Sequence, residues 1–92
     1  MRVKSVYKAK KGLIRVDKEV TNGIITEVRI TGDFFMYPED SLPLLENRLR
    51  GVKNDKESIR DAVKSFFKDT GTVTPFVTEE DLVEALAGGE IQ

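Results

Sequence analysis

An α+β domain is predicted, with a three-stranded antiparallel sheet covered on one face by two or three helices. Two observations predict it. The first third of the chain alternates apolar and polar residues with a period of two, the pattern of half-buried strands. The remainder places apolar residues at helical spacing, between capping and stopping residues. At 92 residues the chain is expected to form one domain with a modest core, because a chain this short buries only about 60–65% of its unfolded surface.

The first strand spans about residues 2–9, with Val3, Ser5, Tyr7 and Ala9 on one face and Lys4 and Lys8 on the other. Ala9-Lys10-Lys11-Gly12 reads as a hairpin turn in which Gly12 is free to take positive φ. The second strand, about 13–21, alternates Ile14, Val16, Lys18 and Val20 with Arg15, Asp17 and Glu19. Asn22-Gly23 is a two-residue turn. In the third strand, about 24–35, Ile24, Thr26, Val28 and Ile30 share one face, and Glu27, Arg29 and Thr31 the other.

Three strands with one apolar face need a cover. A helix over about 40–50 presents Leu42, Leu45 and Leu49, with Val52 just beyond. Asp40 or Ser41 caps it, Pro43 is tolerated in its first turn, and Gly51 follows its end. A second helix, about 55–69, starts near Asn54 with Glu57 as a capping-box partner. It carries Ile59, Val63, Phe66 and Phe67 and stops at Gly71. After a loop containing Pro75, Thr78 caps a third helix, about 79–87, bearing Leu82, Val83 and Leu86. Gly88-Gly89 ends it, and the last residues are expected to fray.

Composition excludes several functions. Lys and Arg total 15 against 16 Asp and Glu, so no global field draws in nucleic acid or an anionic membrane. The absence of cysteine rules out disulfides, thiolate zinc sites and Fe–S ligation, and the absence of histidine removes the commonest general base and metal ligand. No signal-peptide pattern or span-length apolar run is present, so a cytoplasmic location without membrane contact is expected. There is no Gly-rich phosphate loop. Asp33, Glu39, Asp40 and Glu46 have no histidine or second cluster beside them and are not expected to bind metal. No catalytic or metal-binding residue is expected, and the chain is expected to work by docking onto a larger partner.

The junction Ile30-Thr31-Gly32-Asp33-Phe34-Phe35-Met36-Tyr37-Pro38 is dense in aromatics. Strand parity turns Gly32 and Phe34 to the core with Ile30, and Asp33 and Phe35 outward. The bland alternative makes both phenylalanines core residues. An outward Phe35 would mark a contact surface.

Thr31-Gly32-Asp33-Phe34-Phe35, Pro38-Glu39, Leu45-Glu46, Leu49 and Gly51 follow Lys11-Gly12 and Asn22-Gly23 in an order that resembles the C-terminal domain of lipoate–protein ligase A, over about residues 10–52. The resemblance implies a fold like SufE and the Fe–S scaffold proteins. Most such ligases fuse this domain behind their catalytic domain. A chain opening on Met1 instead resembles the split, two-subunit arrangement of some archaea. The partner implied is a separate catalytic subunit, in a heterodimer. The pair would use ATP and Mg to convert lipoate to lipoyl-adenylate, then transfer lipoyl to a lysine of lipoyl-domain proteins. The small chain would bind no cofactor alone, would be inactive alone, and would matter more for adenylation than for transfer. Partner-interface candidates are Asp33, Phe35, Tyr37, Lys8, Lys10 and Lys11. The three lysines are either a solvated turn or a hairpin reaching a phosphate at the partner's nucleotide site. The alternative functions are a cysteine-free scaffold of the same fold, against which the missing thiolates count, and an interaction module without a ligase role.

Overall fold

In the computed structural model, which describes residues 1–91, the period-two runs form β1 (Arg2–Ala9), β2 (Gly12–Thr21) and β3 (Ile24–Asp33). The helical stripes form α1 (Ser41–Leu49), α2 (Lys56–Thr70) and α3 (Glu79–Ala87). A two-residue strand, β4 (Glu90–Ile91), pairs antiparallel with β1, so the sheet order is β3-β2-β1-β4. The chain therefore continues past Gly88-Gly89 in a paired strand, while Gln92, on which the expected fraying also falls, lies outside the described residues. The chain returns along β1 because Gly89, at φ +113, passes where a Cβ would stand 2.6 Å from the Lys4 carbonyl oxygen.

The helices lie on one face of the sheet. α1 packs over β3, α3 over β1 and β2, and α2 bridges the other two helices. Ile14, Val16, Ile25 and Ile30 from the sheet meet Leu45, Leu49, Ile59, Val63, Phe66, Leu82, Val83 and Leu86, none more than 2% exposed. Lys18 shares that face and is buried. Its Nζ donates to Asn54 Oδ1 at 2.6 Å and to the Leu86 carbonyl near the end of α3. The ammonium therefore satisfies a helix-terminal acceptor that would otherwise be orphaned.

Several local expectations change. Val20 opposes Ile25 while Glu19 opposes Glu27, so Thr26 is an extra residue in β3. This bulge resets the parity: Ile25 enters the core, Ile24 is half-buried, and Thr26 faces solvent, its hydroxyl donating to the Glu19 carbonyl at 3.1 Å. β3 also ends at Asp33, two residues early. Gly12 does not take positive φ. It is needed because a Cβ there would meet the Asp33 carbonyl oxygen at 2.7 Å. Asp40 makes no side-chain cap for α1, and Ser41 turns inward, its hydroxyl accepting from Thr72 at 3.1 Å. The α2 cap is Asp55, accepting from the Ser58 N–H at 2.7 Å, which puts Glu57 one position too early for a capping box. At α3 the box is complete: Asp81 N–H donates to Thr78 Oγ1 at 3.0 Å and Thr78 N–H to Asp81 Oδ2 at 2.8 Å.

Candidate functional site

The chain leaves β3 alternating between core and solvent. Gly32, at φ +145, lies against the backbone of Leu13, so closely that a Cβ would collide with its carbonyl oxygen. Beyond it Phe34 is half-buried and packed on the core, and Met36 is buried. Phe35 and Tyr37 point outward, 55% and 51% exposed. Parity through Gly32 therefore holds, although Phe34 is less buried than a core position implies.

A second segment completes the surface. Tyr37 N–H donates to the Val73 carbonyl and Val73 N–H to the Tyr37 carbonyl, both at 2.9 Å. The Phe76 ring meets Phe35 edge to face, with centroids 6.4 Å apart and planes at 63°. Val77, the next residue, turns into the core. The start of this loop is fastened to α1 by the hydroxyls of Thr70, Thr72 and Ser41, at 2.7 and 3.1 Å. Val73 and Phe76, 57% and 50% exposed, were not among the sequence candidates. The available signal was two large apolar side chains in a short interhelical loop that no helical stripe absorbs.

The hairpin lies beside these aromatics. At Gly12 a Cβ would sit 3.3 Å from Val77 Cγ1 and 3.7 Å from Phe34 Cβ, so the tip carrying Lys10 and Lys11 adjoins the same end of the molecule. Across the sheet, Lys8 pairs with Leu13 and Leu13 with Asp33, so Lys8, Leu13 and Asp33 form one row on the uncovered face. Lys8, Lys10, Lys11 and Asp33 are exposed, and no ion pair among the described residues includes them. At the other end of that face the charges neutralise each other: Arg2 meets Asp17 at 2.9 Å and Glu19 at 3.8 Å, and Lys4 meets Asp17 at 3.9 Å. The structure thus brings Phe35, Tyr37, Asp33 and the three lysines to one end. It offers an apolar centre flanked by unpaired charges: Lys8, Lys10, Lys11 and Asp33 on the hairpin side, and the exposed Glu39 and Asp40 just beyond Tyr37.

A groove of about 510 Å³ runs along the outer edge of β3. Arg2, Arg29 and Arg50 face Asp17, Glu19, Glu27 and Glu46 there. Two of its side chains bond the edge strand: Glu46 Oε2 accepts the Ile30 N–H at 2.6 Å and Arg50 Nε donates to the Thr26 carbonyl at 3.2 Å. These contacts cover backbone groups of an edge strand. No cluster of three metal-ligating side chains occurs among the described residues, and none of their helices is long and apolar enough to cross a membrane.

Residues 1–86 match the family described as bacterial lipoate protein ligase C-terminus. The chain is 46% identical over 80 residues to lipoate-protein ligase A subunit 2 of Thermoplasma acidophilum, covering 87% of this chain and 82% of that protein. It superposes with a TM-score of 0.85 and 44% identity on a chain from the solved structure of a bi-partite archaeal lipoate protein ligase and its E2 lipoyl domain from the same organism, covering 94% of each chain.

Proposed function

The chain belongs to the bacterial lipoate protein ligase C-terminus family, and from that membership we propose that it is the accessory subunit of a two-subunit lipoate–protein ligase. One observation carries the reading: over nearly its whole length the chain is similar to one subunit of a bi-partite ligase. The composition supports the division of labour. Adenylate formation needs a phosphate-binding surface, a Mg²⁺ carboxylate set and a cation beside the substrate carboxylate. This chain has no Gly-rich phosphate loop, and its carboxylates form no ligand cluster among the described residues. ATP, Mg and lipoate are therefore handled by the catalytic subunit, and this chain acts by binding that subunit in the cytoplasm. The step it serves is activation of lipoate to lipoyl-adenylate, before transfer to a lysine of a lipoyl domain.

Reconstitution tests this. Lipoate-dependent pyrophosphate release is followed with the catalytic subunit alone, this chain alone, and the two mixed at equal concentration. The chain alone gives none, and the mixture exceeds the catalytic subunit alone by at least about tenfold, the effect of roughly 1.4 kcal/mol in a barrier. Transfer from preformed lipoyl-adenylate depends less on the chain. Full adenylation by the catalytic subunit without this chain, or turnover by this chain alone, overturns the reading.

A further inference from the structure

The aromatic end of the molecule is built from two segments that hold each other in place. Tyr37 and Val73 exchange both backbone hydrogen bonds, so their side chains stand on the same side of that two-stranded ribbon. Phe35 shares parity with Tyr37, and its ring rests on Phe76. Behind them Phe34, Met36 and Val77 anchor the same two segments in the core. The outward rings are held from behind, so covering them requires little further ordering.

Size and charge narrow the occupant. Three half-exposed aromatic side chains and Val73 still present on the order of 300–400 Å² of apolar surface. A stable interface takes about 800 Å² from each partner, with an apolar centre and a polar rim. Lys8, Lys10 and Lys11 supply an unpaired cationic rim beside that centre. The complementary face is therefore a folded protein surface with an apolar centre and carboxylates on the side that meets the hairpin lysines.

We propose that Phe35, Tyr37, Val73 and Phe76 form the seat for the ligase catalytic subunit, with Lys10 and Lys11 as the rim that meets its carboxylates. This rests on the accessory-subunit reading and adds to it the face that docks and the contribution of the loop between α2 and α3.

The test is a calorimetric titration of the catalytic subunit with the whole chain and its variants, each checked for an intact fold by its melting curve. Phe76→Ala and Val73→Ser are the informative variants, because both side chains are half-exposed and their loss leaves the core intact. Each weakens binding about tenfold or more, as central interface anchors do. Val6→Ala, at the most exposed of the large apolar side chains, 66% exposed on the uncovered sheet face, leaves the affinity unchanged. Lys10→Glu combined with Lys11→Glu lowers the association rate and flattens its salt dependence. If the wild-type chain binds and Phe76→Ala and Val73→Ser bind equally well, the seat is overturned while the accessory reading stands. If the wild-type chain does not bind, both fall. If the chain alone is a dimer that Phe76→Ala dissociates, the occupant is a second copy and the proposal is overturned.

Discussion

Adjacent phenylalanines at the end of β3 do different work, and truncation separates them. Phe34 is half-buried against the core, so Phe34→Ala costs about 1–3 kcal/mol, less than the roughly 3–5 kcal/mol of a fully buried ring. Phe35→Ala gives up only an edge-to-face contact of about 0.5–1.5 kcal/mol with a half-exposed neighbour. Thermal melts of the two variants should separate clearly, with Phe34→Ala the lower. Equal melting temperatures would mean that Phe35 is a core residue. Lys18 is the other unusual residue. It has no carboxylate partner, and its cross-strand neighbours Val3 and Val28 are apolar. Burial lowers its ammonium below the ordinary value of 10.5. At neutral pH both folded and unfolded chains carry that proton, so the desolvation cost is fully present. As pH rises through the lowered value toward 10.5, the folded state releases its proton first and the cost is lifted. The stability of the wild-type chain relative to Lys18→Met should therefore rise across this alkaline window. Urea melts of both proteins at stepped pH measure it, and a constant difference sinks the assignment.

At the scale of elements, two glycines show the difference between a turn and a close approach. Gly23 has φ +78 and open space around it, so that a Cβ there would meet nothing within 4 Å, whereas at Gly32 that atom would enter the Leu13 backbone. Gly23→Ala introduces backbone strain alone, about 1 kcal/mol. Gly32→Ala adds a collision inside the β2–β3 ladder and should cost at least about 1–3 kcal/mol more. Denaturant melts rank the two, and an equal or reversed order would show that β3 can slide away from β2. The α3 cap is a smaller contribution. Thr78→Ala removes one acceptor of a reciprocal box and should cost about 1 kcal/mol.

Across the whole molecule, part of the surface charge is paired within the chain. The helical exterior pairs Arg60 with Glu80 at 2.5 Å, Arg48 with Asp69 at 3.3 Å, and Lys56 with Glu84. The uncovered sheet face carries its own ladder of charges around Asp17 and Glu19. The end holding the Lys10–Lys11 turn and the Phe35–Phe76 pair is distinguished by its clustered aromatics, which stand beside unpaired lysines. With no histidine or cysteine in the chain and no ligand cluster among the described residues, stability should be independent of metal. Added EDTA should leave the melting temperature unchanged, and a shift of several degrees would reveal a donor set in the folded chain.

The three long strands, the helices and most of their inward stripes were legible in the sequence, because side-chain direction repeats locally every two residues in a strand and every 3.6 in a helix. So was the family resemblance, carried by short motifs in a fixed order between Lys11 and Gly51. The bulge at Thr26 was not, since an extra residue is defined only by what the neighbouring strand places opposite it. Nor were the inward Ser41, the Lys18 bonds to Asn54 and Leu86, or the pairing of β4, each of which joins segments remote in the chain. The docking end divides the same way. Phe35 could be read as outward from parity alone, but Phe76 and Val73 join it only because backbone hydrogen bonds zip the loop before α3 to the exit of β3. Local periodicity determines which way a side chain points; long-range packing decides what stands beside it.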